Sequence, residues 1–389
     1  VIRPERRYDL DWLRVAAVMT LIPFHTARIF DIWEPFYAKA DRASEALSYA
    51  FVGAVNPWHM PLFFLLAGAA TWFALGFRSG GRYVTERLRR LIVPLLFGIL
   101  VVVPPQSYVG ALTYGQFEGS FFQYYSRFFQ IGASGDLTGY MGGFTPGHLW
   151  FILFLFLISI IALPLLLYLR RGKGQRTIDR LAGALQNRPA KLCWFALPLI
   201  VAGGLPDIGG KNLFYYFVLF VYGYVLMADA RFGDALDRAK VVALIVGLVL
   251  LVALLAIWGA GVMLPDWAWL LMGALYDGPL AWSLLIAILG FGRRYLSFDH
   301  PILKYASEAA YPFYILHQTV IVIIGYYVVQ WSMGIWLQFL AVNVVAASVT
   351  ILVYEVLVKR TNVTRFLFGM KPMRLKNRHE SRHVVRQET

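Results

Sequence analysis

Apolar residues run along this chain in long blocks separated by short polar stretches. Ten segments are long enough, or nearly so, to cross about 30 Å of hydrocarbon as helices. They cover approximately 11–31, 51–75, 91–113, 148–169, 192–205, 212–229, 240–263, 267–291, 311–331 and 335–358. The fifth, KLCWFALPLIVAGGLP, is the shortest. This pattern predicts an all-α, polytopic integral membrane protein with about ten transmembrane helices. Two connections stand out by length. Residues 32–50 include DRASEALSYAF, whose Ala46, Leu47 and Ala50 suggest a short amphipathic helix. Residues 114–147 hold FFQYYSRFFQIG and GDLTGYMGGFTPG, too aromatic for a disordered linker. Their Tyr, Phe and Gln side chains suit sugar stacking, and equally a membrane-interface aromatic belt. No fixed-period repeat is present.

Charge gives the pattern a direction. Basic residues concentrate in alternate connections: Arg3, Arg6 and Arg7; Arg78, Arg82, Arg87, Arg89 and Arg90; Arg170 to Lys191; Arg231, Arg238 and Lys240; Arg293, Arg294 and Lys304; and Lys359 onward. The other connections carry only Lys39, Arg42, Arg127 and Lys211. The positive-inside rule then puts both termini in the cytoplasm. With 59% hydrophobic and 15% charged residues, the net charge of +14 reads as this asymmetry and excludes a nucleic-acid role. Cys193 is the only cysteine, so neither a disulfide framework nor a thiolate metal cluster is expected. The first apolar run reads as a retained span and not a cleaved signal. Residues 1–358 form the expected membrane domain, and 359–389 a basic cytoplasmic tail expected to be disordered or to lie on the lipid surface.

Candidate chemistry lies inside the spans. Arg14 and His25 stand eleven residues apart on the first span, on one face and roughly 16 Å apart along the axis. Pro23, between them, leaves the Met19 carbonyl without its ladder donor. Ionisable groups in lipid are costly and face a cavity or partner, so this stripe marks a candidate site. His25 lies about 20 Å from the inner end of its span, and His59, in NPWHMPLFFLLAG, about 12 Å below the outer surface. His148 opens the fourth span at the outer face. His317, in YPFYILHQ, falls about 9 Å from the inner end of a span beginning at Tyr311. No HExxH or other zinc spacing is present, so no metal is inferred. At the inner face, Arg87 and Arg90 sit one turn apart and could grip phosphate. Basic inner loops produce such pairs without any ligand as well.

Taken together, Arg14-x10-His25, Arg87-x-x-Arg90 and the AYPFYILH segment ending at His317 resemble the membrane acyltransferase 3 family. IPFHTARIF, HMPLFFLLAG and HLWFILFLF are similar to its glucan biosynthesis protein C branch. The resemblance covers the chain up to about residue 358. It implies a transferase of the bacterial inner membrane that moves an acyl group, succinyl or acetyl, from cytoplasmic acyl-CoA to a periplasmic or cell-surface glycan hydroxyl. By the resemblance, His25 is the catalytic base, and Arg14, Arg87 and Arg90 serve the donor, with His317 grouped on the donor side. His59 and His148 are candidates for oxyanion stabilisation. Arg28 is the cation nearest His25 that could meet a succinyl carboxylate. The esterase-like domain of longer members is not identifiable, so transfer is expected to be direct or completed by another protein. Acyl-CoA, a glycan acceptor and membrane lipids are the expected partners, with other glycan-synthesis proteins or a second copy as further ones. No tightly bound cofactor is expected. The alternative reading is a polysaccharide or lipid-linked sugar transporter or flippase, which ten spans with a polar stripe also fit. Membrane-bound O-acyltransferases, with an active His in a late span, would shift the weight to His317.

Overall fold

A computed structural model describes residues 6–33, 35–130 and 138–373. Among them the structure is helical, and its one β feature is an isolated bridge between Ile208 and Lys211. Seven helices are long and apolar enough to cross a membrane. They are α1 (Tyr8–Phe30), α2 (Ala46–Phe77), α3 (Gly80–Thr113), α10 (Ala230–Gly259), α11 (Asp266–Tyr295), α12 (Pro301–Val328) and α13 (Ile335–Val358). An eighth crossing is made if α5 (Gly147–Ile161) and α6 (Leu163–Leu169), bent by 50°, act together. Two apolar helices are shorter, α8 (Pro189–Gly203) and α9 (Leu213–Leu226). Short amphipathic helices complete the chain: α4 (Phe121–Phe128), α7 (Gly172–Asn187) and α14 (Asn362–Leu367). The protein is therefore an all-α, multi-pass membrane protein.

Each of the ten expected segments falls on a helix, but several helices begin well before their apolar run. The reason is capping. Ser79 accepts the Arg82 N–H at 3.4 Å, Asp229 the Arg231 N–H at 2.9 Å, and the His300 ring the Ile302 N–H at 3.3 Å. Each cap satisfies an otherwise orphan backbone donor, so the helix starts at the cap and not where hydrophobicity rises. The separate amphipathic helix expected within 32–50 is not formed. Residues Ala46–Gly53 are instead a π-helical stretch that forms the start of α2. The tail also differs from expectation in its first part. Thr361 caps α14, and Arg365 is buried and pairs with Glu308 of α12 at 2.6 Å. Residues 374–389 lie outside the described part of the chain.

Basic connections gather at one face. Arg7 reaches Met227, Trp12 donates to the Phe298 carbonyl, Arg293 pairs with Asp234, and the Tyr311 hydroxyl donates to the Arg90 carbonyl. At the opposite face the Tyr37 hydroxyl donates to Thr138 O at 2.8 Å and that of Tyr114 to Phe36 O at 3.0 Å. Between the faces, α1 is enclosed by α2, α11, α12 and α13. A close helix approach joins α2 and α9. A Cβ on Gly68 would fall 1.9 Å from the Phe220 carbonyl oxygen, and one on Gly223 1.8 Å from that of Leu65. Small residues at such a crossing let two backbones meet where lipid supplies no hydrophobic drive between helices. Gly68→Ala and Gly223→Ala are each expected to cost about 1–3 kcal/mol or more by overpacking. The thermal midpoint in detergent should fall for both and hold for Gly76→Ala, whose Cβ would meet nothing within 4 Å.

Candidate active site

Four histidines from four helices meet in the half of the bundle away from the basic face. His25 comes from α1, His59 from α2, His148 from the first turn of α5 and His317 from α12. The His25 and His317 ring centroids are 5.1 Å apart, and those of His148 and His317 also 5.1 Å. His59 stands one layer off, with Phe24 between it and the others, centroids 5.7 Å from His59 and 5.3 Å from His25.

His317 is the main correction to the sequence reading. Its helix starts at Pro301 and not Tyr311, so it lies about 24 Å from the basic end and not ~9 Å. It therefore sits among the histidines, not beside the donor-side arginines.

Backbone carbonyls fix which nitrogen of three rings carries the proton. A carbonyl oxygen can only accept, so the ring nitrogen facing it must be the donor. His59 Nε2 donates to Ala17 O at 2.8 Å, and His148 Nε2 to Ile315 O at 2.8 Å. His317 Nδ1 donates to Tyr314 O at 2.7 Å. In the neutral rings, His148 Nδ1 and His317 Nε2 are then bare lone pairs. Both are buried without a hydrogen-bond partner, as is His25 Nδ1. Unlike the other three residues, His25 is half-buried, so its ring remains reachable. Three nitrogens of this histidine cluster thus have no acceptor or donor of their own, an arrangement that normally belongs to a functional site. Among the described residues no group of three or more His, Cys, Asp or Glu is disposed to hold a metal ion.

The sequence reading missed the residues that surround these rings. Gln106, buried on α3, accepts from Gln318 Nε2 at 3.3 Å through Oε1, which leaves its own Nε2 a buried donor without partner. It nestles against Gly147, whose φ of +53° and missing Cβ admit the amide; a Cβ there would lie 2.1 Å from Gln106 Nε2. Tyr314 donates to the carbonyl of His148, and Thr319 to Val102 O at 2.7 Å. Tyr311, Tyr314 and His317 follow at three-residue spacing along α12. The YPFY segment is thus a ladder from Arg90 O at one end to the imidazoles at the other. Polar residues within apolar helices were the available signal for Gln106.

Aromatic and ionic groups pack over the histidines on the face opposite the basic one. Phe36 stacks on His25 with ring centroids 6.0 Å apart and packs against Tyr37 and Tyr140. Arg28 is 8% and Asp31 2% exposed, and the two pair at 2.6 Å. Lys39 completes the cluster on the Asp31 carboxylate and donates to Asp31 O at 2.7 Å. Burial holds the Lys39 ammonium below the ordinary lysine value, with Asp31 opposing. Arg28 thus carries a carboxylate partner of its own.

The arginines lie far from the histidines. Arg14 is half-exposed and pairs with Asp11 at 2.8 Å. Arg87 donates to Thr71 at 2.9 Å and stacks over Tyr83, while Arg90 meets Glu86 at 3.2 Å. A π-helical turn at Leu88–Ile92 follows Arg87, so the two arginines expected to act as a pair engage different partners. No bond among the described residues joins Arg14 to them. Thr71 is twelve residues along α2 from His59, about 18 Å, which matches the ~16 Å between Arg14 and His25. Gly147→Ala is expected to cost about 1–2 kcal/mol from its left-handed backbone alone. It should also displace Gln106 and His148 and reduce turnover, measurable as a lower thermal midpoint together with lost activity.

Comparison with known proteins completes the description. The family described as an acyltransferase domain matches residues 7–355. Glucans biosynthesis protein C of Escherichia coli O139:H28 (strain E24377A / ETEC) is 20% identical over 389 residues, covering 95% of this chain and 96% of the relative. Glucans biosynthesis protein C of Escherichia coli strain K12 is 20% identical over 388 residues with the same coverage. No solved structure matches. The chain belongs to this acyltransferase family and is an acyltransferase.

Proposed function

We propose, from this chain's membership of the acyltransferase family, that it carries an acyl group from cytoplasmic acyl-CoA to a hydroxyl of a glycan across the membrane. The glycan is a glucan, the polymer in the relatives' names, or a similar periplasmic one. In this reading the protein sits in the bacterial inner membrane with ten crossings. The short helices α8 and α9 and the bent pair α5 and α6 supply the crossings beyond the seven long ones. The basic face is cytoplasmic and holds both termini, in keeping with the excess of Lys and Arg there.

One observation carries the reading. Imidazoles with unpartnered ring nitrogens cluster in one half of the bundle, while α1 and α2 lead back about 16–18 Å to arginines in the basic half. That separation is of the order of a pantetheine arm. Arg14, Arg87 and Arg90 hold the donor's phosphates at the cytoplasmic face, where charge-assisted bonds to phosphate are strongest when bidentate. The thioester then lies beside His25. The acceptor hydroxyl is a poor nucleophile at neutral pH, so His25 removes its proton as its oxygen attacks the thioester carbonyl. The carbon–sulfur bond breaks, and the CoA thiolate leaves and is protonated. The oxyanion that develops needs a donor. His59 and His148 spend their N–H groups on carbonyls, so the unpartnered amide of Gln106 fits that task better. His317 works beside His25 as a second base or proton carrier.

His25→Ala is expected to lose about 10²–10⁴-fold in transfer at unchanged thermal stability. Purified protein with labelled acyl-CoA and glucan reads this directly, and full activity would sink the assignment. His317→Ala should lower kcat with little change in acyl-CoA KM, whereas Arg14→Ala should raise that KM. Transport without acylated product would favour a flippase instead.

A further inference from the structure

One intramembrane carboxylate has no role in the chemistry above. Asp277 lies in the π-helical turn Tyr276–Leu280 of α11, which also contains Gly278 and Pro279. Such turns insert an extra residue into a helix and re-aim its side chains, and they recur at functional sites. Here the turn delivers Asp277 to the junction of α2, α8, α9 and α11, at the end of α8 and the start of α9. The carboxylate leans on Gly203, where a Cβ would fall 2.7 Å from Asp277 Oδ2, so only glycine leaves it room. It is half-buried, and among the described residues no cation or hydrogen-bond donor engages it. An uncompensated carboxylate inside a membrane helix is expensive and is retained for use.

Its neighbours share one chemistry. Tyr276 accepts a hydrogen bond from Asn56 Nδ2 at 2.9 Å, and the Asp277 charge acts on the hydroxyls of Tyr215 and Tyr216. Tyr215 is only 6% exposed, yet no hydrogen bond among the described residues ends on its hydroxyl. That hydroxyl is not among the buried atoms that lack a partner, so it stays open to a ligand. Asp207, in the turn between α8 and α9, adds a second carboxylate within electrostatic reach. Carboxylates, an amide and phenols on aromatic walls are the groups that bind the hydroxyls and ring faces of neutral sugars. The site adjoins the imidazoles: Asn56 is one turn from His59 on α2. Tyr216 rings lie 5.4 Å from Trp150, two residues past His148.

We propose that Asn56, Asp207, Tyr215, Tyr216, Tyr276 and Asp277 form an acceptor subsite that holds a sugar unit of a neutral glycan while a neighbouring unit reaches the histidines. The two carboxylates also select against acidic acceptors. This inference rests on the acyl-transfer reading for its purpose but not for its test.

Binding of laminarihexaose, a neutral linear glucan, to the detergent-solubilised full chain is measured by calorimetry without acyl-CoA. The wild type and His25→Ala should bind alike. Asp277→Asn and Tyr215→Phe should each weaken binding at least about tenfold, a loss of roughly 1.4 kcal/mol. Both should keep the wild-type acyl-CoA KM and thermal midpoint. Asn56→Ala offers a third variant should either of those unfold. Absent binding by the wild type, or equal binding by folded Asp277→Asn and Tyr215→Phe, would overturn the subsite. Intact binding without any transfer would instead overturn the acyl-transfer reading and leave the subsite standing.

Discussion

An imidazole packed between helices must place its N–H on a carbonyl, because in lipid no water offers an alternative partner. That constraint organises this protein. The Ala17, Ile315 and Tyr314 carbonyls each take a ring proton from a histidine, and in doing so decide where the remaining lone pair points. Each of these carbonyls already belongs to a helix ladder and uses its spare acceptor capacity for the ring. The outcome is that helix packing, not solvent, sets the protonation pattern of the site. His25 escapes the constraint, being half-exposed and without a carbonyl on Nδ1, which makes it the imidazole most open to a substrate.

Holding those rings in place requires α12 to be fixed against α3 along much of its length. Tyr311 reaches Arg90 O, Gln318 reaches Gln106, and Thr319 reaches Val102 O, so three polar contacts set the register of the two helices. Helix α3 is interrupted by π-helical turns at Leu88–Ile92 and Gly98–Val102, followed by Pro104 and Pro105. These breaks free and redirect backbone groups, and helices in membranes tolerate them where neighbours re-satisfy those groups. Thr319 does so at Val102. Similar reasoning covers α11, whose π-helical turn presents Asp277. Regular helices supply the frame, while their irregular turns aim the polar side chains.

Much of this was legible along the chain. The ten apolar blocks all became helices, because backbone in hydrocarbon has almost no other way to satisfy itself. Arg14 and His25 fell on one stripe because helical geometry alone decides that. What misled was the edge of each block: hydropathy marks where lipid begins, whereas caps such as His300 mark where a helix begins. Ten residues of error at the start of α12 moved His317 from the donor side to the centre of the site. That Arg87 and Arg90 engage different partners was hidden for a related reason, since no hydropathy pattern announces the π-helical turn that begins after Arg87.

By itself, then, the sequence determined the class of protein, the helices, their polar interruptions and a family resemblance that the comparisons bear out. These are local properties, fixed by residue type and by the 3.6-residue turn. Only the tertiary structure decided which interruptions meet. It joined His317 and His148 to His25, set His59 one layer away, and enlisted Gln106 through the missing Cβ of Gly147. It also spent Arg28 on Asp31 and left Asp277 without a partner among the described residues. Contacts between residues a hundred or more positions apart depend on how helices cross and on where glycine permits approach, and no window along the chain contains that information.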